Sequence, residues 1–131
     1  AEIWGVSIQQ MVTQGKEVIM GMSRDPQFGP MIMFGLGGIY VEVLKDVTFR
    51  IAPLTERDAR EMQSEIRSAK LLTGARGEKS VDMDALADAM LRLSQLVTDF
   101  PEILEMDINP LKVQPENGGA IAIDSRITIK A

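Results

Sequence analysis

The sequence contains neither cysteine nor histidine. Without cysteine the chain has no disulfide framework, no thiolate nucleophile and no zinc-thiolate site, which fits a reducing cytoplasm. Without histidine it has no phosphohistidine, no histidine general base and no Ser-His-Asp triad of its own. Any histidine chemistry in which the chain takes part must therefore be supplied by a partner.

Long apolar runs and banks of positive charge are missing as well. No apolar run approaches the roughly 20 residues of a membrane-spanning helix, so no membrane contact is expected. The net charge is −5 and the 14 basic residues are scattered, which argues against a nucleic-acid surface. The first ten residues, AEIWGVSIQQ, lack the basic and apolar regions of a signal peptide and read as direct entry into a strand. They favour a fragment of a larger, cytoplasmic protein.

The chain has 131 residues, of which 45% are hydrophobic, and this is enough for one domain with a real core, spanning residues 1–131. Alternation of apolar and polar residues predicts strands at residues 3–12, 16–24, 31–34, 40–44 and 47–52. Thr55 and Asp82 are suited to cap two helices, the first running to about residue 70 and the second to about Thr98. The order predicts an α+β fold with a largely antiparallel sheet and two main helices on one face.

A terminal hairpin, from Glu105 to Ile127, carries the most informative pattern. Asp107 and Asn109 alternate with apolar neighbours, so both project from one face of a strand. Turn formers at residues 115–119 reverse the chain, and residues 120–127 return as a second strand that carries Asp124 within an apolar run. If the strands pair about this turn, Asp124 lies beside Asn109 and Asp107, an all-oxygen cluster suited to Mg²⁺ that holds a nucleotide phosphate.

Structural explanations exist for each of these residues. Asn-Pro and Asn-Gly-Gly are common turn formers, Asp107 could be a solvated acid at a strand end, and Asp124 could cap a local turn. The loop Gly35-Leu36-Gly37-Gly38 could let backbone amides approach an anion or could simply connect two strands. The residues alone leave these alternatives open.

Two arginines are candidates for cations on the phosphate side of such a site. Arg50 and Arg76 each lie at a break between predicted elements. Single arginines in an acidic chain usually pair with carboxylates, and structural ion pairs are the favoured alternative for both.

Two blocks of sequence together resemble a known family. The segment EMDINPL followed by AIDSRI resembles the carboxy-terminal end of the ATP-grasp domain in NDP-forming acyl-CoA synthetases. This family includes ADP-forming acetate-CoA ligase and, more distantly, the beta subunit of succinyl-CoA synthetase. Upstream, GKEVIMGMSRDPQFGPMIMFGLGGIYVEVLKDVTFRIAPL is similar to the same family, and the two blocks stand in the family's order. The resemblance covers nearly the whole chain and implies the second lobe of an ATP-grasp domain.

The resemblance implies a nucleotide site for ATP or ADP with Mg²⁺. Residues 9–12, with Gln9, Met11 and Val12, match the strand at the adenine-facing hinge, which the resemblance places within residues 1–13. Glu17 matches the carboxylate that accepts hydrogen bonds from the ribose, although an exposed strand acid would show the same pattern. The matching positions for the glycine turn near the phosphates are Gly37 and Gly38.

The same resemblance assigns the hairpin residues. Asn109 and Asp124 match the two Mg²⁺ ligands beneath the β- and γ-phosphates. Asp107 matches the catalytic acid that orients a phosphohistidine carried on a segment of another domain.

Several parts of the family's full apparatus are absent from this sequence. The first ATP-grasp lobe with its phosphate-gripping lysine, the CoA-binding domain and the histidine segment would have to come from partner domains or subunits, which would also bring CoA and a small carboxylic acid. The isolated chain is therefore expected to be inactive. Apolar surface left by the missing lobe would favour a homodimer. Two other functions remain open: a ligand-sensing, regulatory synthetase-like domain of a protein acetyltransferase, and a structural interface domain.

Overall fold

One antiparallel sheet organises this computed structural model, which describes residues 1–131. Its six strands are β1 (Lys16–Asp25), β2 (Gly29–Leu36), β3 (Val47–Ile51), β4 (Ile103–Val113), β5 (Ala120–Ala122) and β6 (Ser125–Ile129). The helices are α1 (Ile39–Glu42), α2 (Glu56–Glu65), α3 (Lys70–Thr73) and α4 (Met83–Asp99). The sheet order is β3-β2-β1-β4-β5, and β6 pairs with β4 as well. The predicted α+β class with an antiparallel sheet is confirmed.

The core lies between one face of the sheet and the helices α2 and α4. Alternation along β1 sends Val18, Met20 and Met22 to this face, and helical periodicity brings apolar residues of α4 against them. The largest side chains that are fully buried there are Phe34, Met20, Ile32, Met62, Leu72, Leu86 and Met90. The helices α2 and α4 leave the opposite face of the sheet uncovered, and only the short helix α1 approaches it, at Gly35, where a Cβ atom would come within 3.0 Å of the Val41 side chain. Away from Gly35, charged side chains on that face such as Glu17 and Arg126 are exposed. None of the helices combines the length and the apolar character needed to cross a bilayer.

Both predicted helix caps are confirmed. The Thr55 hydroxyl accepts a hydrogen bond from the Asp58 amide at 3.1 Å, while the Asp58 carboxylate accepts one from the Thr55 amide at 2.9 Å, which is a complete capping box. Asp82 accepts a hydrogen bond from the Ala85 amide at the start of α4. Its second oxygen accepts one from Gly119, so the same carboxylate ties α4 to the turn of the terminal hairpin.

Two predicted strands and one predicted helix end are wrong. Residues 1–13 form no strand: they are almost entirely exposed, with Trp4 and Ile8 each 93% accessible, because no neighbouring strand lies beside them. Residues 40–44 are not a strand either; α1 and a turn occupy this segment, and the Asp46 amide closes it by donating to the Tyr40 carbonyl at 2.8 Å. The first long helix ends at Glu65 rather than near residue 70, because Ile66 adopts an extended backbone.

A buried carboxylate fixes the chain where α2 ends. Asp46 is only 6% exposed, and it accepts hydrogen bonds from the Arg67 amide at 2.7 Å, the Ser68 amide at 2.9 Å and the Ser68 hydroxyl at 2.5 Å. Burial alone would raise its pKa, but these three donors and the charge of Arg67 outweigh burial and lower the pKa below its usual value. The ionised form is therefore favoured by folding.

This carboxylate should make the fold sensitive to acid. Because its folded-state pKa is lowered, the stabilisation is complete above the unfolded pKa of about 3.9 and is lost as the pH falls through the folded value. We expect Asp46→Asn to unfold at a lower temperature at pH 6 and to lose less further stability between pH 6 and pH 3 than the wild type. Thermal unfolding followed by circular dichroism measures both, with Asp99→Asn, on the exposed end of α4, as the control. An acid dependence unchanged by Asp46→Asn would contradict the assignment.

Candidate functional site

The local geometry of the site comes from an irregularity in β4. Val18 of β1 pairs with Leu111, but Met20 pairs with Ile108, so β4 contains one extra residue at Asn109–Pro110. On the other edge of β4, the Asn109 amide donates to the Asp124 carbonyl at 3.0 Å, which fixes the backbone of the two residues side by side.

The predicted continuous strand over residues 120–127 is therefore wrong in one respect. It is divided into β5 and β6, and the break falls at Ile123 and Asp124, opposite the irregular part of β4. The Ile123 amide donates to the Pro110 carbonyl at 3.0 Å, so the break remains bonded to β4. Asp124 consequently sits in a gap between strands and not in a regular ladder.

A small polar cavity of about 210 Å³ opens at this gap. Its lining contains no hydrophobic residue and consists of Asp107, Asn109, Asp124, Ser125 and Arg126. The structure thus brings together the three residues that the sequence predicted to meet. One oxygen of Asp124 accepts a hydrogen bond from the Ser125 amide at 2.8 Å, and its second oxygen has no protein partner.

The chemistry of this donor set suits a hard cation shared with a ligand. Mg²⁺ commonly takes one or two protein carboxylates and completes an octahedron with waters and substrate phosphate oxygens. The cluster offers carboxylate and amide oxygens from Asp107, Asn109 and Asp124, without the three or more acidic, histidine or cysteine groups of a closed metal cage. The residues therefore fit Mg²⁺ that is held jointly with a phosphate.

The ribose candidate and the glycine loop lie together at the far end of β1. The Gly37 amide donates to the Glu17 carbonyl at 2.9 Å, and a Cβ atom on Gly37 would come within 3.3 Å of that oxygen. The Glu17 side chain alternates with buried Val18 and is exposed, so it lies on the uncovered sheet face. Because the Gly37 amide is used within the fold, Gly38, which precedes α1 with a φ of 67°, is the better placed of the two to offer an amide to an anion.

The proposed hinge residues do not line the polar cavity. Gln9 and Met11 are exposed, and Val12 is half-buried. The Val12 carbonyl accepts a hydrogen bond from the Lys112 ammonium at 2.7 Å, so β4 holds the end of this segment although no strand forms. Their contact with adenine stays a prediction.

The two candidate arginines differ in whether they form ion pairs within the fold. Arg50 contacts Glu65 at 2.5 Å and Glu61 at 3.7 Å, which confirms the ion-pair alternative for this residue. Arg76 forms no ion pair, so the ion-pair alternative is wrong for this residue; it lies in the loop after α3 and does not line the polar cavity. Arg126, which the sequence interpretation missed, lines that cavity. Its position two residues after Asp124 was a usable signal, because alternate residues of a strand share a face.

A second, larger cavity of about 400 Å³ adjoins the first on the uncovered face. Its floor is a row of cross-strand partners that runs over five strands: Phe49, Met33, Gly21, Asp107 and Arg126. Gly21 lies at the middle of the row, where a Cβ atom would approach the Met106 carbonyl to 2.9 Å. The row is apolar at one end and charged at the other, with an open centre.

The fold and the candidate site together define the class: an α+β lobe that presents carboxylate and amide oxygens on the sheet face opposite the helices α2 and α4. The chain belongs to the ATP-grasp domain family, which matches residues 1–129. It is 60% identical over 98% of its length to acetate-CoA ligase [ADP-forming] I of Archaeoglobus fulgidus, and 54% identical over 98% of its length to subunit beta of acetate-CoA ligase [ADP-forming] I of Pyrococcus furiosus. It spans 18% of the first protein and 55% of the second.

A solved structure has the same fold. Acetyl-coenzyme A synthetase 1 of Ca. Korarchaeum cryptofilum superposes with a TM-score of 0.85 at 47% identity, over 91% of this chain and 55% of that one. That protein was determined in complex with coenzyme A and Mg-AMPPCP, with its phosphohistidine segment pointing towards the nucleotide binding site. The predicted ATP-grasp family and fold are confirmed by these likenesses.

Proposed function

We propose that this chain is the nucleotide- and Mg²⁺-binding lobe of an NDP-forming acyl-CoA synthetase. The complete enzyme would convert a small carboxylic acid, CoA and ATP into acyl-CoA, ADP and phosphate, with the phosphoryl group carried on a histidine. The first ATP-grasp lobe, the CoA-binding domain and the histidine segment would be supplied by the rest of the same protein or by a partner subunit. The related acetate-CoA ligases and the synthetase complex with Mg-AMPPCP support this proposal.

The observation that carries the proposal is the meeting of Asp107, Asn109 and Asp124 in one polar cavity on the uncovered sheet face. The hydrogen bond between the Asn109 amide and the Asp124 carbonyl fixes their spacing through the backbone. A site whose backbone is fixed in this way needs little reorganisation when it binds a negatively charged phosphoryl group. Such preorganisation is the condition for electrostatic stabilisation of phosphoryl transfer.

The remaining roles are those that the family resemblance implies, and the positions along the sheet support them. Asn109 and Asp124 would hold Mg²⁺, which when bound neutralises charge on the phosphates. Glu17 would accept hydrogen bonds from the ribose at the other end of β1, about 13 Å from Gly21 at roughly 3.3 Å per residue. Asp107 pairs with Gly21, four residues along β1 from Glu17, and would there orient the imidazole of the partner's histidine beside the terminal phosphate.

The test is calorimetric titration of ADP into the full-length protein that carries this chain, with Mg²⁺ and again with EDTA. We expect Mg²⁺-dependent binding in the wild type and at least about a ten-fold weaker affinity in Asn109→Leu, which is similar in size but lacks the amide oxygen. Gln95→Leu, on the helix α4, serves as the control. Equal ADP affinity in the wild type and Asn109→Leu, with both proteins folded, would contradict the metal site.

A further inference from the structure

Arg126 is a charged side chain with no partner in the fold. It is exposed on β6, and its guanidinium forms neither an ion pair nor a hydrogen bond. Its Cα partner in the sheet is Asp107, so the two side chains project from the same face of neighbouring strands. An arginine that stands beside a carboxylate without pairing to it is free to bind something else.

Most other arginines of the chain are already engaged. Ion pairs occupy Arg50, Arg57, Arg60 and Arg92, and Arg24 donates to backbone carbonyls of Val97, Phe100 and Ile103. Arg126 differs from all of them because it lines both cavities of the uncovered face, the polar one at Asp124 and the larger one at Gly21. It therefore stands at the place where the two cavities join.

The register shows how far Arg126 lies from the metal candidates. Arg126 is two residues beyond Asp124, and its partner Asp107 is two residues before Asn109. Two residues of a strand span about 6.6 Å. The row of Asp107 and Arg126 is thus one step beyond the row of Asn109 and Asp124, on the side away from Glu17.

We propose that Arg126 binds the γ-phosphoryl group and positions it for transfer. This inference rests on the function proposed above, in which Asn109 and Asp124 hold Mg²⁺ beneath the nucleotide phosphates. Arg126 would contact two oxygens of the terminal phosphate through its planar guanidinium, from the side opposite to the metal. In the transfer, the bond from the γ-phosphorus to the bridging oxygen breaks with its electron pair left on ADP, and a bond forms to an imidazole nitrogen of the partner's histidine. Arg126 stays protonated throughout.

The negative charges around the two cavities explain why a bound phosphate needs a cation there. Asp107, Asp124 and Glu105 surround the two cavities, and Arg126 is the one basic residue among their lining side chains. The transferring phosphoryl group carries negative charge on three oxygens and would be repelled by these carboxylates. Arginine binds a phosphate with two parallel hydrogen bonds, which fixes orientation as well as charge.

The open floor of the larger cavity leaves room for the acceptor. Gly21 lies between Met33 and Asp107 in the cross-strand row and has no side chain to occupy the space above them. An imidazole that enters over Gly21 would meet Asp107 first and the phosphate held by Arg126 next. In this row, Gly21 leaves space for the imidazole, Asp107 orients it and Arg126 holds the phosphate.

The test is single-turnover phosphorylation of the complete synthetase by γ-labelled ATP, with Mg-ADP affinity measured on the same samples. We expect Arg126→Gln to lower the first-order rate at saturating ATP by about 100-fold, the scale for losing one electrostatic contact to a transition state. Because ADP lacks the γ-phosphate, its affinity should change by less than about three-fold. Arg126→Lys, which keeps the charge without the fork, should lose only about ten-fold. Arg92→Gln is the control for the loss of an exposed arginine.

The outcomes separate the two proposals. A wild-type rate in Arg126→Gln, with normal Mg-ADP binding, would overturn the role of Arg126 and leave the nucleotide site standing. An equal loss of rate and of Mg-ADP affinity would also overturn it, since the residue would then serve binding in general. A wild-type protein that neither binds Mg-ADP nor becomes phosphorylated would overturn the proposed function and this inference with it.

Discussion

Replacing Asp124 by asparagine should lower the turnover of the proposed synthetase by about 10² to 10³-fold, the range seen when one preorganised electrostatic contact is removed. The substitution keeps the size of the side chain and removes its charge. Asparagine can still accept the hydrogen bond from the Ser125 amide through its remaining oxygen, so the backbone at the gap should not move. Asp124 lines the polar cavity, and its other oxygen has no protein hydrogen-bond partner. The substitution replaces this oxygen by an amide nitrogen, which cannot bind Mg²⁺.

Steady-state acyl-CoA formation at several Mg²⁺ concentrations measures this effect. A weakened metal site should show partial recovery as Mg²⁺ is raised, whereas loss of the fold would not recover. Asp99→Asn gives the matched control, because Asp99 lies on the exposed end of α4 and its side chain accepts a hydrogen bond from Gln95. Full activity of Asp124→Asn at limiting Mg²⁺ would show that the cation is held elsewhere.

Replacing Phe34 by alanine should destabilise this domain by about 3–5 kcal/mol, the cost of emptying a well-packed aromatic site. Phe34 lies on β2 with 0% exposure and is the largest of the fully buried side chains. Its neighbours on the sheet are held by pairing with β1 and β3 on both sides, so they cannot collapse easily into the space. A loss of this size is a large part of the usual stability of a domain.

Urea unfolding gives the measurement, through the change in midpoint at constant slope. Phe28→Ala is the matched control, because Phe28 is 59% exposed in the turn between β1 and β2 and should cost less than about 1 kcal/mol. A Phe34→Ala variant that unfolds at the wild-type midpoint would mean that the sheet and helices do not enclose this core.

The parts of the fold that the sequence predicts well are those governed by local chemistry. The capping box of Thr55 and Asp58 and the cap at Asp82 are local hydrogen bonds, and both are present. The alternation of residues 16–24 and 31–34 is also confirmed, because both segments pack their apolar side chains on one core. Where the apolar side chains of a segment all pack on one core, the period of the hydrophobic pattern is enough to predict the strand.

The predictions fail where the structure of a segment depends on which other segment of the chain lies beside it. Residues 1–13 alternate like a strand but have no strand beside them, and an unpaired edge gives no ladder. Residues 40–44 have β-branched and aromatic side chains, yet their ends are joined by a turn that closes on the Tyr40 carbonyl. Neither result follows from propensity, since both depend on which residues lie opposite.

The sequence predicted which residues meet at the candidate site, but it did not predict the local backbone geometry that holds them. Hairpin pairing brings Asp107, Asn109 and Asp124 together, as expected. The extra residue in β4 and the break at Asp124 depend on register, which the sequence pattern does not specify. Arg126 was missed for a related reason: its importance lies in being unpaired, and ion pairing is a property of the folded neighbourhood. Arg50, which looked similar in sequence, is fully engaged with Glu61 and Glu65.

The strand that carries Asp107 and Asn109 is bonded along both of its edges, by β1 on one side and by β5 and β6 on the other. Amide protons of such a strand should exchange with solvent among the slowest in the domain, while those of residues 1–13 should exchange within seconds. If this face binds a nucleotide as proposed, the entropy of ordering Asp107 and Asn109 is lost when the domain folds and not when the nucleotide binds. The proposed site would then bind tightly because few side chains remain to be ordered on binding, and a mutation that frays β4 would weaken the affinity without changing any of the proposed ligand atoms.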